Sequence, residues 1–366
     1  MIGKKGKIIH VVYKGRLAGA ENLACALVSD HISRGYESEI LSIQHSDSSF
    51  VERILAMQYN RPTIIDLPQA KSTLHRIICL ARYFMKQKDV VIVTHTIMPA
   101  FFVRVALFFT RHKIISVLHG IDDYQFRPWG FFEHILKFRT SKTVHVSLLG
   151  ALDYKKRFGI LPEVVFNGIN VDEFANPVLK KDQVRAILNI STNSKIILQV
   201  GRIEGTKGQD FTVSSLLPLL EEDENVHIVF AGLIEDAAFH SKILLGISEK
   251  TLRQIHFLGS FNDIPSLINT SDIFVMPSLR ESSGLAFLEA YAGNLPIVAT
   301  KIPAFAEFDQ HLGVRLVDMG NAYEFRHSVE AFLHNKMSYE RDVEEFDIMN
   351  MLQKYTEIID GVLRHE

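Results

Sequence analysis

Short apolar, β-branched runs alternate with longer stretches at helical spacing along the whole chain. In the first half the runs fall at 7–13, 38–43, 62–66, 89–94, 113–118, 143–147 and 163–166. In the second they fall at 195–200, 225–231, 254–258, 272–276, 295–299 and 314–317. Nearly continuous apolar runs of this kind suit strands buried on both faces. Their alternation with helix-length segments predicts βαβ units, parallel sheets and helices on both sides. Turn formers cluster at Asn167-Gly-Ile-Asn-Val-Asp172 and at Asn176-Pro177, and a fresh strand–helix series begins near Lys195. The expected division is therefore a first α/β domain over 1–166, a linker over 167–177 and a second α/β domain over 178–340. In the tail, Phe346, Met349, Leu352, Ile358, Ile359 and Val362 stand near helical spacing, which predicts helices within 339–363. The last segment, 341–366, is expected to cross back to the first domain.

Composition narrows the class. Among 366 residues, 47% are hydrophobic and the mean hydropathy is +0.10, which supports large buried cores and argues against disorder. Two cysteines, Cys25 and Cys79, make a disulfide framework unexpected and the cytosol the expected compartment. Residues 1–7 lead straight into the strand-like 8–12 without the pattern of a secretory signal. The longest candidate span, 97–109, is 13 residues broken by Arg104, too short to cross a bilayer. Charge is uneven. Residues 1–165 hold 23 Lys and Arg against 13 Asp and Glu, and the remainder holds 17 against 29. A basic first half suits an anionic partner, with no sign of nucleic-acid binding.

The densest chemistry lies at Glu281-Ser-Ser-Gly-Leu-Ala-Phe-Leu-Glu289, preceded by Pro277-Ser278. Residues 285–292 are apolar except at 289, so they read as a helix buried on most sides. A carboxylate there is costly unless a ligand or partner hydrogen-bonds it. Gly284 and Leu285, after Ser283, sit where the first turn should begin, and its free amides and dipole favour a phosphate. An anion at the helix start, hydroxyls held by Glu289 and others reached by Glu281 match the parts of a nucleotide sugar. Gly201-Arg-Ile-Glu-Gly-Thr-Lys207-Gly208 follows the run 195–200, and Arg202 and Lys207 there suit a diphosphate leaving group. Gly19, in Ala18-Gly-Ala-Glu21, opens a helix after the first strand and permits close approach to a phosphate or sugar, although G-x-G-x-x-G is absent. His119-Gly120 ends the run 113–118, at a strand end where such sheets place functional groups. Zinc, EF-hand and Asp-x-Asp patterns are missing, so no metal is expected. The stretch Tyr124–Phe132 is rich in aromatics, and 101–113 mixes apolar bulk with cations. Either can rest on anionic lipid, while 101–113 also reads as an ordinary helix packed on the sheet.

Together these motifs resemble glycosyltransferase family 4. The likeness rests on Ala18–Glu21 with Arg34–Glu37, His119-Gly120, Val146-Ser147, Val165–Asp172, Gly201-Arg202 with Lys207-Gly208, Phe257–Gly259 and Pro277–Glu289. It implies the α/β GT-B fold, two Rossmann-like parallel-sheet domains facing each other across a cleft. It also implies that Arg202 and Lys207 bind the donor diphosphate, assisted by backbone at Gly19, Ser283, Gly284 and Leu285. Glu289 would hold the ribose, Glu281 the donor sugar, and Phe261 would border the base, with Gly201 shaping the loop. His119 would lie beside the sugar, brought there by domain closure. Three positions depart from the family pattern: Ala18 and Pro303-Ala304 where glycines are common, and Ser283 where Phe is usual.

The implied activity is metal-independent, retaining hexosyl transfer from a UDP- or GDP-sugar to a saccharide or lipid-linked saccharide, as in lipopolysaccharide and other surface polysaccharide assembly. Similar enzymes are thought to let the leaving phosphate help deprotonate the acceptor. The expected setting is cytoplasmic, with peripheral contact on the inner face of the membrane. A nucleotide-sugar epimerase and a donor-binding accessory subunit are the competing readings.

Overall fold

The computed structural model describes residues 6–16, 19–70, 72–120, 122–125, 128–281, 284–335 and 339–364. The chain forms two compact units, residues 1–168 with 349–366 and residues 169–348.

The first unit is built on β1 (Lys7–Lys14), β2 (Glu37–Gln44), β3 (Thr63–Asp66), β4 (Val90–His95), β5 (Lys113–Leu118), β6 (Lys142–His145) and β7 (Glu163–Val164). They form one parallel sheet in the order β3-β2-β1-β4-β5-β6-β7. The strand order reverses between β1 and β4, which opens a crevice at their C-terminal ends, the usual ligand position in doubly wound sheets. Both sheet faces are covered. Ile9, Val11, Ile92 and Ile114 pack with Leu80, Phe84 and Val103 on one side, while Val12 and Ile40 meet Ala24, Val28 and Phe50 on the other.

The C-terminal helix Ile348–Arg364 buries Met351, Leu352, Tyr355, Ile358 and Ile359 along one face. It is tied to the rest of the first unit by polar contacts. Tyr36 Oη donates to Asp360, Arg34 donates to Gln353 at 2.7 Å, and Lys113 Nζ donates to the Leu363 carbonyl at 3.2 Å.

The second unit contains β8 (Lys195–Val200), β9 (Val226–Ala231), β10 (Ile255–Phe257), β11 (Ile273–Met276), β12 (Ile297–Thr300) and β13 (Val314–Val317). Its parallel sheet runs β10-β9-β8-β11-β12-β13, so the order reverses between β8 and β11. Ile197, Ile228, Phe230, Val275 and Val298 form its core with Leu216, Leu220 and Phe325 from flanking helices.

Two expectations need correction. The helix expected over 101–113 runs Ile97–Ala106 instead. Pro99 lies in its first turn, where a missing amide costs nothing. The segment after Tyr339 is not helical up to a short 3-10 turn at Glu344–Phe346. Arg341 explains it: the guanidinium donates to the Tyr291 and Leu312 carbonyls and lies over the Tyr291 ring, so tertiary contacts outweigh local helical spacing.

Candidate functional site

In the second unit the loops after β8 and β11 flank the switch point and carry Gly201, Arg202, Lys207 and Glu281 of the expected site residues. Gly201–Gly208 follows β8, and Pro277–Glu281 follows β11. Lys207 Nζ pairs with Glu281 Oε1 at 2.7 Å, and Ser278 Oγ donates to the same oxygen at 2.8 Å. Arg202 pairs with Glu204 at 3.2 Å and is largely exposed. Both expected phosphate-binding cations therefore face carboxylates here.

Buried amides hold the first loop. Gln199 Nε2 donates to the Lys207 carbonyl at 2.8 Å, Thr212 Oγ1 donates to Gln199 Oε1 at 2.7 Å, and Gln209 Nε2 donates to the Arg202 carbonyl at 2.8 Å. The amide of Leu279 donates to the Thr206 carbonyl at 2.9 Å, which joins the two loops. Thr300 Oγ1 donates to the Ser278 carbonyl at 2.5 Å and fixes the start of the second loop. Gly208 adopts φ +70°, and a Cβ there would lie 2.3 Å from the Pro277 carbonyl oxygen, so the loops meet only because this residue is glycine. Gln199, Gln209, Thr212 and Thr300 support the site and were not singled out from sequence, whereas Ser278 belongs to the Pro277-Ser278 pair that was.

Helix Leu285–Ala292 starts as expected. Gly284 is its N-cap at φ +56°, and Phe287 and Leu288 donate to the Gly284 carbonyl. The amides of Leu285 and Ala286 thus have no acceptor within the helix, as at any helix start. Phe305 stacks on Phe287 with centroids 4.6 Å apart, and its ring lies 2.4 Å from where a Cβ of residue 284 would stand. Phe305 directly follows Pro303-Ala304 in the sequence. Ser283 and Ala18 lie outside the described residues. Glu289 is half-buried one turn further on. Burial, then the charge of Glu173, pushes its carboxyl up to about 7. Phe261 is half-buried in the segment between β10 and the helix Ile264–Thr270.

In the first unit, His119 follows β5 at the C-terminal edge of the sheet and is buried. Burial, reinforced by His145 after it, pushes the imidazole down to about 3, so it is neutral at physiological pH. A neutral ring offers one donor and one acceptor without a positive charge. His119 ends a row of buried imidazoles that sequence spacing did not reveal. His31 Nδ1 lies 3.3 Å from His10 Nε2, His10 Nδ1 lies 3.0 Å from His95 Nε2, and the His95 and His119 ring centroids are 5.7 Å apart. Gly19 is the exposed first residue of helix Gly19–Ser33, with nothing within 4 Å of a Cβ placed there. That leaves space for a ligand but shows no close approach.

The aromatic segments divide. Arg104, expected to be available for head groups, is buried against Glu133, and Tyr154 donates to the same carboxylate. Phe109 (96% exposed), Phe138 (65%) and Phe131 (63%) remain open, with Phe108 bridging Phe109 and Phe138 at centroid distances of 5.0 and 5.8 Å. No helix among the described residues is long and apolar enough to cross a membrane.

The loops after β8 and β11 thus carry Arg202, Lys207 and Glu281 beside the switch point, and the helix that follows carries Glu289, residue types suited to a polyanion that carries sugar hydroxyls. Residues 180–346 match the family described as Glycosyl transferases group 1. Relatives agree with that match. The chain is 29% identical over 144 residues, 38% of its length, to the UDP-Gal:alpha-D-GlcNAc-diphosphoundecaprenol alpha-1,3-galactosyltransferase of Escherichia coli. It spans 36% of the length of that relative. Among solved structures, a glycosyltransferase from Rickettsia africae has a TM-score of 0.83 at 19% identity, with both chains covered fully. HepE of Anabaena, in complex with UDP and glucose, has a TM-score of 0.79 at 18% identity, covering 97% of this chain and 100% of that one. These likenesses show the fold, two Rossmann-like parallel-sheet units of the kind seen in GT-B glycosyltransferases.

Proposed function

We propose that the protein is a family 4 glycosyltransferase that moves a sugar, with retention, from a nucleoside-diphosphate donor to a saccharide or lipid-linked saccharide. One observation carries this reading: Lys207 and Glu281 pair across the loops that flank the β8/β11 switch point, and the helix that starts at Leu285 follows the second loop. The diphosphate displaces Glu281 from Lys207 and takes the helix amides. Glu281, still oriented by Ser278, then accepts from donor-sugar hydroxyls, and Glu289 accepts from the ribose. Leu285, Gly284, Gly201 and Gly19 contribute backbone, and Phe261 borders the base. Lys207, Arg202 and the helix dipole supply the countercharge for the leaving group, so no metal is required. His119 hydrogen-bonds a sugar hydroxyl as a neutral ring. A screen of UDP-, GDP- and ADP-sugars by thermal shift tests donor binding and identifies the base, because a ligand that binds only the folded chain raises its melting temperature. No shift with any nucleotide rejects the reading.

The setting we propose is cytoplasmic, with peripheral membrane contact through Phe109, Phe131 and Phe138. Their exposed rings suit the bilayer interface, and the lipid-linked acceptor in the name of the Escherichia coli relative is consistent with that setting. Phe109→Ser combined with Phe138→Ser should abolish co-sedimentation with phosphatidylglycerol vesicles. Failure of the unaltered chain to sediment with them at low salt rejects membrane contact.

A further inference from the structure

The C-terminal edge of the first unit holds a polar cavity of about 420 Å³. It is lined by Lys14 at the end of β1, Gln44 at the end of β2, His45, Asp47, Gln69 beyond β3, and Arg76. Lys14 is neutralised by Asp47 at 2.6 Å, and His45 lies 2.9 Å from Asp66. Arg76 differs. Its side chain is half-buried and donates to Tyr13 Oη at 3.2 Å, and it pairs with no carboxylate among the described residues. Gln44 donates to the same phenol oxygen at 3.0 Å, which fixes Tyr13 beneath the guanidinium. Arg76 also stands in the first turn of helix Thr73–Phe84, a turn that contains no acidic residue. A cation at that end opposes the helix dipole, and an anion beside it would relieve both.

From this we infer that the cavity is a subsite for an oxyanion, a phosphate or a carboxylate, carried by the acceptor saccharide and held by Arg76. The inference rests on the transferase reading and specifies its acceptor. The sheet order sets the separation. β2 and β1 lie three and two strands from β5, which His119 follows. At a strand spacing of about 4.8 Å the anion sits roughly 10–14 Å from the His119 end of the edge. The acceptor therefore extends beyond one sugar ring, with its charge away from the hydroxyl that receives the new sugar.

The test measures glucose, glucose 6-phosphate and glucuronate binding to the full chain by NMR, for the unaltered protein and for Arg76→Gln. At least one charged sugar should bind about tenfold tighter than glucose, and Arg76→Gln should remove that preference, as expected for one hydrogen bond to a charged group. A preference for glucose 6-phosphate assigns the anion as phosphate, and one for glucuronate assigns it as carboxylate. Equal binding of all three, or a preference that survives Arg76→Gln, overturns the subsite. UDP binding, measured on the same samples, should be unchanged by Arg76→Gln. Failure of the unaltered chain to bind UDP, GDP or ADP would sink the transferase reading instead. An unchanged melting temperature for the variant shows that it is folded.

Discussion

Lys207 Nζ lies 2.7 Å from Glu281 Oε1, and this pair joins the loops that follow β8 and β11. The two partners have different jobs once a donor binds, so their variants should separate. Lys207→Ala removes a charged hydrogen bond to the diphosphate and should weaken nucleoside-diphosphate affinity by about 1.5–3 kcal/mol. Glu281→Gln leaves Lys207 available to the phosphates, so nucleotide binding should persist while transfer falls by about 10²-fold, the scale for removing one preorganised group. Calorimetry and turnover on both variants check this split. Equal effects of the two changes on nucleotide affinity would contradict it.

Glu289 should give donor binding a pH dependence. Its carboxyl is raised to about 7, first by burial. The ionised form accepts from ribose hydroxyls, so nucleotide affinity should fall as pH drops from 8 to 6, and Glu289→Gln should flatten that profile. Stability moves the other way. A raised acid binds more protons folded than unfolded between the ordinary carboxyl range and about 7, so its contribution is present at low pH and lost as pH rises through 7. Glu289→Gln should therefore raise the melting temperature at pH 8 and leave it nearly unchanged at pH 4.5. Scanning calorimetry at both values is the check.

The buried imidazoles predict acid sensitivity. His119 is pushed down to about 3, His31 and His145 to about 4, and His10 and His95 well below the ordinary value, in each case chiefly by burial. The unfolded chain takes up these protons below pH 6.5 and the folded chain does not. Stability should thus fall as pH drops from 6.5 towards 4, by about 1.4 kcal/mol per pH unit for each histidine fully protonated only when unfolded. Urea unfolding at pH 7, 6 and 5 measures the slope, and His31→Gln should reduce it. Equal stability at pH 7 and pH 5 would contradict the neutral row.

Gly208 is the steric hinge of the donor loops. Gly208→Ala places a Cβ 2.3 Å from the Pro277 carbonyl oxygen in a left-handed conformation. It should cost more than about 1 kcal/mol of stability and weaken nucleotide binding together with it. Gly19→Ala meets nothing within 4 Å and should leave stability unchanged. Chemical denaturation of both variants makes the comparison.

The fold was readable because parallel strands buried on both faces leave continuous apolar runs, and all thirteen expected runs became strands. Residues 285–292 were legible for the same reason: one carboxylate in an apolar helix stands out. The supporting polar residues were not. Gln199, Gln209 and Thr300 are ordinary in composition, and their meaning comes from loop carbonyls that only the fold brings near. His10, His31 and His95 come from separate elements and meet only on folding. The helix expected over 101–113 starts earlier, at Ile97, with Pro99 accommodated in its first turn.

The most direct measurement is a crystal structure with whichever nucleoside diphosphate raises the melting temperature most. Its phosphates are expected on Lys207 Nζ and on the amides of Leu285 and Ala286, with Glu281 released from Lys207 and the ribose hydroxyls on Glu289. Phosphates bound anywhere else, or amides pointing away from them, contradict the assignment.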